Sequence, residues 1–294
     1  MELSPMAGSG NAAIAVVPTG AALGAEIRGV DLRTVDERTF AAIHRAWVEH
    51  CVLLFRGQHL SDEDLIGFSR RFGELDWAPI QETGRRFVEG RPEIYVVSNV
   101  IENGVPIGSL GAGEAVWHTD MSYIPDPPKA SMLYALEVPP AGGNTGFVNM
   151  YAVYESLPSV LQRRIEGLSL KHDGTYNSGG YVRQGVEAVD DPVRSPGEVH
   201  PLVCTHPESK RRVLYLGRRR NAYITGLPLA ESEALLDELW RYVTDDLTWY
   251  NEWRVGDLVM WDNRCTMHRR DPFDAGERRI MHRTQIKGEA RPAA

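Results

Sequence analysis

Cysteine is scarce in this chain: Cys51, Cys204 and Cys265 are the only three in 294 residues. They are odd in number and widely spaced, which argues against a disulfide framework and fits a reducing compartment. No Cys-x-x-Cys pair occurs, so a thiolate zinc site has no support. No uninterrupted apolar stretch approaches the roughly 18 residues that a membrane-spanning helix needs. The opening segment, MELSPMAGSGNAAIAVVP, lacks a basic region followed by a long apolar core and does not read as a signal peptide. Positive charge is also in deficit. Against 40 Asp and Glu stand 32 Lys and Arg, a net charge of −8 with no long basic run, which disfavours nucleic acid as a partner. The expectation is a cytoplasmic protein with no nucleic-acid and no membrane partner. A hydrophobic content of 43% and a charged content of 24% are ordinary for a soluble globular chain.

The first dozen residues are small and polar-leaning, and residues 1–12 and 289–294 are expected as disordered tails. Between them no repeat and no linker is visible, so one domain is expected. Phe40, Ile43, Trp47 and Val48 have helical spacing within 36–50. Ser61 is an N-cap candidate for SDEDLIGFSRRFG, with acids in the first turn and Gly73 as a stop. Further on the chain turns β-rich. Strands are expected at 93–100, 130–138, 146–150, 168–172, 201–205, 212–216, 247–255, 258–261 and 278–286, with helices at 151–165 and 229–243. Many strands parted by Gly and Pro turns suggest a barrel or jelly roll. Three long irregular stretches, 76–91, 101–116 and 174–199, are candidate lids or plain surface loops.

The strongest local signal is His118-Thr119-Asp120 in WHTDMSY. On an extended segment residues i and i+2 point to one face, so both side chains can reach one ion. A third ligand would come from elsewhere, and His268 in WDNRCTMHRR follows an apolar strand and a turn. Two imidazoles and a carboxylate on one face of a metal leave the other face open, the arrangement of non-haem Fe(II) oxygenases. His-x-Asp alone is weak, because a chain with nine histidines can carry one by chance. The neighbouring pair His172-Asp173 is a poor chelate, since adjacent strand side chains diverge.

In 278–286 alternation places Arg279, Met281, Arg283 and Gln285 on one face. The two arginines would stand about 13 Å apart at ~3.3 Å per residue. A planar guanidinium suits a bidentate carboxylate, so two anions, or two ends of one assembly, could be held there. An exposed charged face is the plain alternative.

With these residues in place, the chain resembles the TauD/TfdA group of Fe(II)- and 2-oxoglutarate-dependent dioxygenases. The resemblance runs from about Val17 to Gly288 through GAEIRGVDL, LLFRGQHLSDED, FSRRFGEL, WHTDMSY, PPAGGNTGFVNM, HPLVCTHPESK, WDNRCTMHR and RRIMHRTQIKG. It implies a mainly β fold with flanking α-helices around a double-stranded β-helix, the cupin-like jelly roll. It implies Fe(II) held by His118, Asp120 and His268, with 2-oxoglutarate and O2 as cosubstrates. Thr145 and Arg279 would meet the distal carboxylate of 2-oxoglutarate, and Arg283 would pair with the substrate anion. Asp120 fills the position that halogenating relatives leave without a carboxylate, so hydroxylation without halide is implied. Relatives of this kind are often dimers or tetramers.

The implied activity is hydroxylation of a small anionic organic substrate: a carboxylate, sulfonate, sulfate ester or aryloxyalkanoate. 2-Oxoglutarate would go to succinate and CO2, and a hydroxylated carbon bearing a heteroatom would break its C–O or C–S bond. Ala78 and Gln81 stand where taurine-specific members place an aromatic residue and a histidine, and Glu114 stands where they place an asparagine, which argues against taurine. Trp77, Tyr123 and Tyr181 are candidates for the apolar part of a pocket. Arg218, Arg219 and Arg220 read as a turn facing solvent or a neighbouring subunit, with a substrate contact as the alternative. A cupin-like module that binds metal and anion without turnover, or a metallohydrolase, are the other readings; cosubstrate dependence separates the three.

Overall fold

The computed structural model describes residues 14–78, 87–113 and 115–294. Gln81, Glu114 and the expected N-terminal tail lie outside the described residues. The helix Glu37–His50 starts where Asp36 accepts a hydrogen bond from the Thr39 amide. Asp62–Arg70 opens with a reciprocal capping box between Ser61 and Asp64. The expected helix over 151–165 is two helices, Met150–Ser156 and Ser159–Ile165, because Pro158 breaks the hydrogen-bond ladder between them. The expected 229–243 helix runs Leu229–Trp240.

Two sheets face each other across the site. In the larger, hydrogen-bonded neighbours run Ala15–Pro18, Ala25–Arg28, Val52–Phe55, Leu258–Asp262, Ala130–Glu137, Ile280–Ile286, Arg91–Ser98 and Phe87–Val88. In the smaller the order is Thr248–Asn251, Thr145–Asn149, Thr266–Arg270 and Ala115–His118. This is the jelly roll, mainly β with helices laid outside it.

The central strands of the larger sheet are buried on both faces, and their alternation decides what reaches the site. Met132 and Tyr134 pack outward with Ile43, Trp47, Leu65 and Phe68 of the helices. Leu133 and Ala135 point between the sheets, toward Phe147, Trp261 and Met267. By the same period of two, Ser131 faces the site. Its strand pairs Ser131 with Gln285 and Leu133 with Arg283. The face expected to carry Arg279, Met281, Arg283 and Gln285 therefore turns inward, while Thr284 bonds outward to Ser69 at 2.7 Å.

The 174–199 stretch is irregular yet firmly attached. Lys171 reaches in to donate to the Ser195 hydroxyl at 2.7 Å and to the Pro192 carbonyl. Gly174 donates to the Pro196 carbonyl at 2.7 Å. At Gly197, φ is +149° and an added Cβ would sit 1.7 Å from the His172 carbonyl oxygen. Gly197→Ala must push these backbones apart; the expected loss is about 2–3 kcal/mol, read as a lower midpoint in urea with unchanged slope. The segment 289–294, expected as a loose tail, is tied down: Thr205 donates to the Ala293 carbonyl at 2.8 Å.

Candidate active site

His118 ends one strand of the smaller sheet and His268 lies directly across from it in the neighbouring strand. Their rings stand 4.1 Å apart, centroid to centroid. Each Nε2 is 3.6 Å from Asp120 Oδ1. One ligand atom from each of the three residues lies within 4.8 Å of the others. His118 Nδ1 is 2.7 Å from the Val116 carbonyl oxygen. A carbonyl only accepts, so that nitrogen carries the proton and leaves the Nε2 lone pair free toward the cluster. Burial, then the neighbouring His118, push the His268 imidazole well below its ordinary pKa, which keeps it neutral. Burial alone would raise the Asp120 carboxyl, but Arg283, His268 and His118 outweigh it and hold it well below the usual range. Two imidazoles and one carboxylate suit a divalent iron with open positions.

The carboxylate is held from behind. Asp120 Oδ2 accepts from Ser131 Oγ at 3.0 Å and from Arg283 at 2.5 Å, which leaves Oδ1 facing the imidazoles. Asn263, missed from sequence, clamps the backbone: its amide accepts from Asp120 N at 2.8 Å and donates to the carbonyls of Asp120 and Pro128. It thereby ties the His-x-Asp segment to the turn that delivers His268. That turn is braced by Asp262, which bonds Arg264 at 2.7 Å and His206 at 3.1 Å. His206, Asp262 and Cys265 also cluster closely enough to suggest a metal. Arg264 already neutralises Asp262 there, so a structural role is the better account.

At the other end of the same cavity two arginines are buried without carboxylate partners among the described residues. Arg279 is 2% exposed. Arg270 donates to the carbonyls of Leu110 and Gly113. Burial, then the charge of Arg270, push Arg279 down to about 9, a cost that a bound carboxylate would relieve. Thr145 lines this end, and its hydroxyl accepts from the Trp253 indole N–H at 2.9 Å. A hydroxyl that accepts from the indole keeps its O–H to donate, so the Thr145 proton stays available within the cavity. Trp253→Phe should raise the 2-oxoglutarate KM roughly 5- to 10-fold, about one neutral hydrogen bond, with kcat at saturation little changed. An unchanged KM in steady-state kinetics would remove Trp253 from the site.

Tyr123 lines the cavity. Trp77 does not: it is 75% exposed. Its neighbours hold their backbones to the larger sheet, Asp76 N on Gln285 O and Ala78 N on Pro92 O, and alternation turns Trp77 outward. Tyr181 is 63% exposed and also off the lining. The solvent-facing reading holds for Arg219, paired with Glu233 and Asp237, and for Arg220, paired with Asp190. It fails for Arg218, which is 9% exposed, paired with Asp173 at 3.0 Å and set in the cavity wall.

Residues 15–285 match the family model described as "Taurine catabolism dioxygenase TauD, TfdA family". The chain belongs to that family. It is 33% identical to the (S)-phenoxypropionate/alpha-ketoglutarate-dioxygenase of Delftia acidovorans, over 93% of this chain and 94% of that one. It is 36% identical to the alpha-ketoglutarate-dependent 2,4-dichlorophenoxyacetate dioxygenase of Cupriavidus pinatubonensis, over 90% and 95%. The crystal structure of AAD-2 in complex with Mn(II) and N-oxalylglycine superposes with a TM-score of 0.77 at 29% identity, covering 96% of this chain and all of that one.

Proposed function

We propose that this chain is an Fe(II)- and 2-oxoglutarate-dependent dioxygenase oxidising a small organic anion. His118, Asp120 and His268 would hold the iron, and Arg279 and Thr145 the distal carboxylate of 2-oxoglutarate. The observation that carries the reading is one cavity lined by a two-histidine, one-carboxylate cluster and by a buried pair of arginines without carboxylate partners among the described residues. A keto dicarboxylate is a ligand that answers both: one end for the metal, the other for Arg279. When bound, iron and 2-oxoglutarate supply the oxidising chemistry, with O2 consumed and succinate, CO2 and a hydroxylated substrate released.

The protein's own part is positional. Ser131 and Arg283 fix one oxygen of Asp120 so that the other serves the iron. The His118 tautomer is set by the Val116 carbonyl. Trp261 and Phe147 pack against His268 at 4.7 and 6.2 Å between ring centroids and exclude water from its inner side. Arg283, bonded to Asp120 and Ser131, would add positive charge beside the cluster without giving up those bonds. The enzyme is read as one domain and as a homo-oligomer. No described helix is long and apolar enough to cross a membrane.

The test is succinate release by the Fe(II)-loaded protein with 2-oxoglutarate and a panel of phenoxyacetate, both enantiomers of 2-phenoxypropanoate, an alkyl sulfate and an alkanesulfonate. Release above the substrate-free rate with at least one acid is expected. Iron binding without 2-oxoglutarate consumption under any condition would leave the binding-module or hydrolase readings standing instead.

A further inference from the structure

The substrate end of the cavity carries a second group of charges that the dioxygenase reading leaves unused. Arg183 and Arg218 both line it. Arg218 is fixed: its Nη2 donates to the Asp173 carboxylate at 3.0 Å and to the Asp173 carbonyl at 3.1 Å. Asp173 is itself spoken for, accepting from the backbone amides of Thr175 at 3.0 Å and Tyr176 at 3.2 Å. Arg183 has no carboxylate partner among the described residues. Its guanidinium lies 4.0 Å from the centre of the Tyr123 ring, three residues beyond Asp120. The Nε atoms of Arg183 and Arg218 are both buried and unpartnered. The positive charge of Arg183 is one of the influences that depress Arg218, after burial, so the two feel each other. Two guanidiniums against one carboxylate leave a net positive wall.

The wall is also tied to the metal strand. Arg183 N donates to the Thr175 carbonyl at 2.8 Å, and Val116 N donates to the Ser178 carbonyl at 3.1 Å. An anion held by Arg183 would therefore be placed relative to His118 by backbone bonds rather than by a free loop. Arg283 also has an unpartnered buried Nε, but its Nη2 is already committed to Asp120 and Ser131.

We propose that Arg183, stacked on Tyr123 and backed by Arg218, binds the acidic group of the substrate and so makes the 174–199 loop the specificity element of the enzyme. The proposal rests on the dioxygenase reading and names how that site tells an acid from a neutral molecule. The stacked, half-buried guanidinium has no carboxylate partner among the described residues and can offer its fork to one, and the aromatic face holds it in the cavity at little entropic cost.

The experiment compares each acid that wild type turns over with the primary amide of the same acid, in wild type, Arg183→Met, Arg183→Lys and Arg220→Met. Arg220 serves as the loop control, since it pairs with Asp190 on the same loop outside the cavity. In Arg183→Met the acid's KM should rise about 30-fold or more while the amide's stays within about 3-fold, so the preference for acid collapses. Arg183→Lys should recover part of that preference, and Arg220→Met should keep all of it. An acid preference unchanged in Arg183→Met, in a protein that still consumes 2-oxoglutarate, overturns the assignment and leaves the dioxygenase reading intact. A wild-type protein that never consumes 2-oxoglutarate sinks both.

Discussion

His268→Ala and Asp120→Ala should each reduce 2-oxoglutarate turnover to background and abolish stoichiometric Fe(II) binding. Each donor supplies one of three ligand atoms lying within 4.8 Å of one another, and no fourth histidine or carboxylate among the described residues is clustered with them. The reason to measure binding as well as rate is that two failures look alike in a rate assay. Anaerobic titration with Fe(II) and then 2-oxoglutarate separates them, because keto-acid chelation gives iron a weak visible band. Wild type should show the band and His268→Ala should not. Ser131→Ala provides the graded comparison. It deletes the hydroxyl that donates to Asp120 Oδ2 at 3.0 Å and leaves all three donors in place, so a loss of about 10- to 100-fold in iron affinity or activity is expected. Full activity in His268→Ala would remove that residue from the metal site.

Much of this site could be read before the structure because its strongest parts are local. His118 and Asp120 are two residues apart on an extended segment, and the arginines of 279–283 obey the period of a strand. Both patterns survive in the fold: the inward face of Ile280–Ile286 is the one that alternation names, and Ser61 caps its helix as its sequence context requires. What could not be read is what depends on distant partners. Asn263 grips Asp120 across 143 residues, and Trp253 meets Thr145 across 108. Neither carries a spacing that points at its partner. Arg218 looked like its two neighbours, and only Asp173, 45 residues earlier, distinguishes it by drawing it into the cavity wall. Trp77 misled for the opposite reason. A large aromatic beside a suspected pocket suggests lining, but the backbone bonds of Asp76 and Ala78 fix the alternation and turn it to solvent.

Arg279→Met should have opposite effects on stability and on cosubstrate binding. In the free protein Arg279 is a buried guanidinium, 2% exposed, with its Nε unpartnered and no carboxylate among the described residues. Its burial and the nearby Arg270 charge both oppose its ionised form. Replacing such a charge with an apolar side chain of similar length is neutral or stabilising in general, so the metal-free variant should melt at or above the wild-type temperature. With 2-oxoglutarate present the order reverses. The charged arginine then has its carboxylate, and truncating one partner of a buried charge pair costs about 2–5 kcal/mol, which is roughly 30- to several-thousand-fold in affinity. The variant's KM for 2-oxoglutarate should rise by that factor, while wild type alone gains melting temperature as 2-oxoglutarate is raised in the presence of a redox-inert divalent metal. Arg279→Lys, which keeps the charge and loses the planar fork, should fall between the two. Equal melting gains with 2-oxoglutarate in wild type and Arg279→Met would place the distal carboxylate elsewhere, with Arg270 the next cation to test. The sign reversal is the informative part: losing a residue retained for packing would lower stability in both conditions, whereas losing one retained for an anion lowers it only when the anion is there.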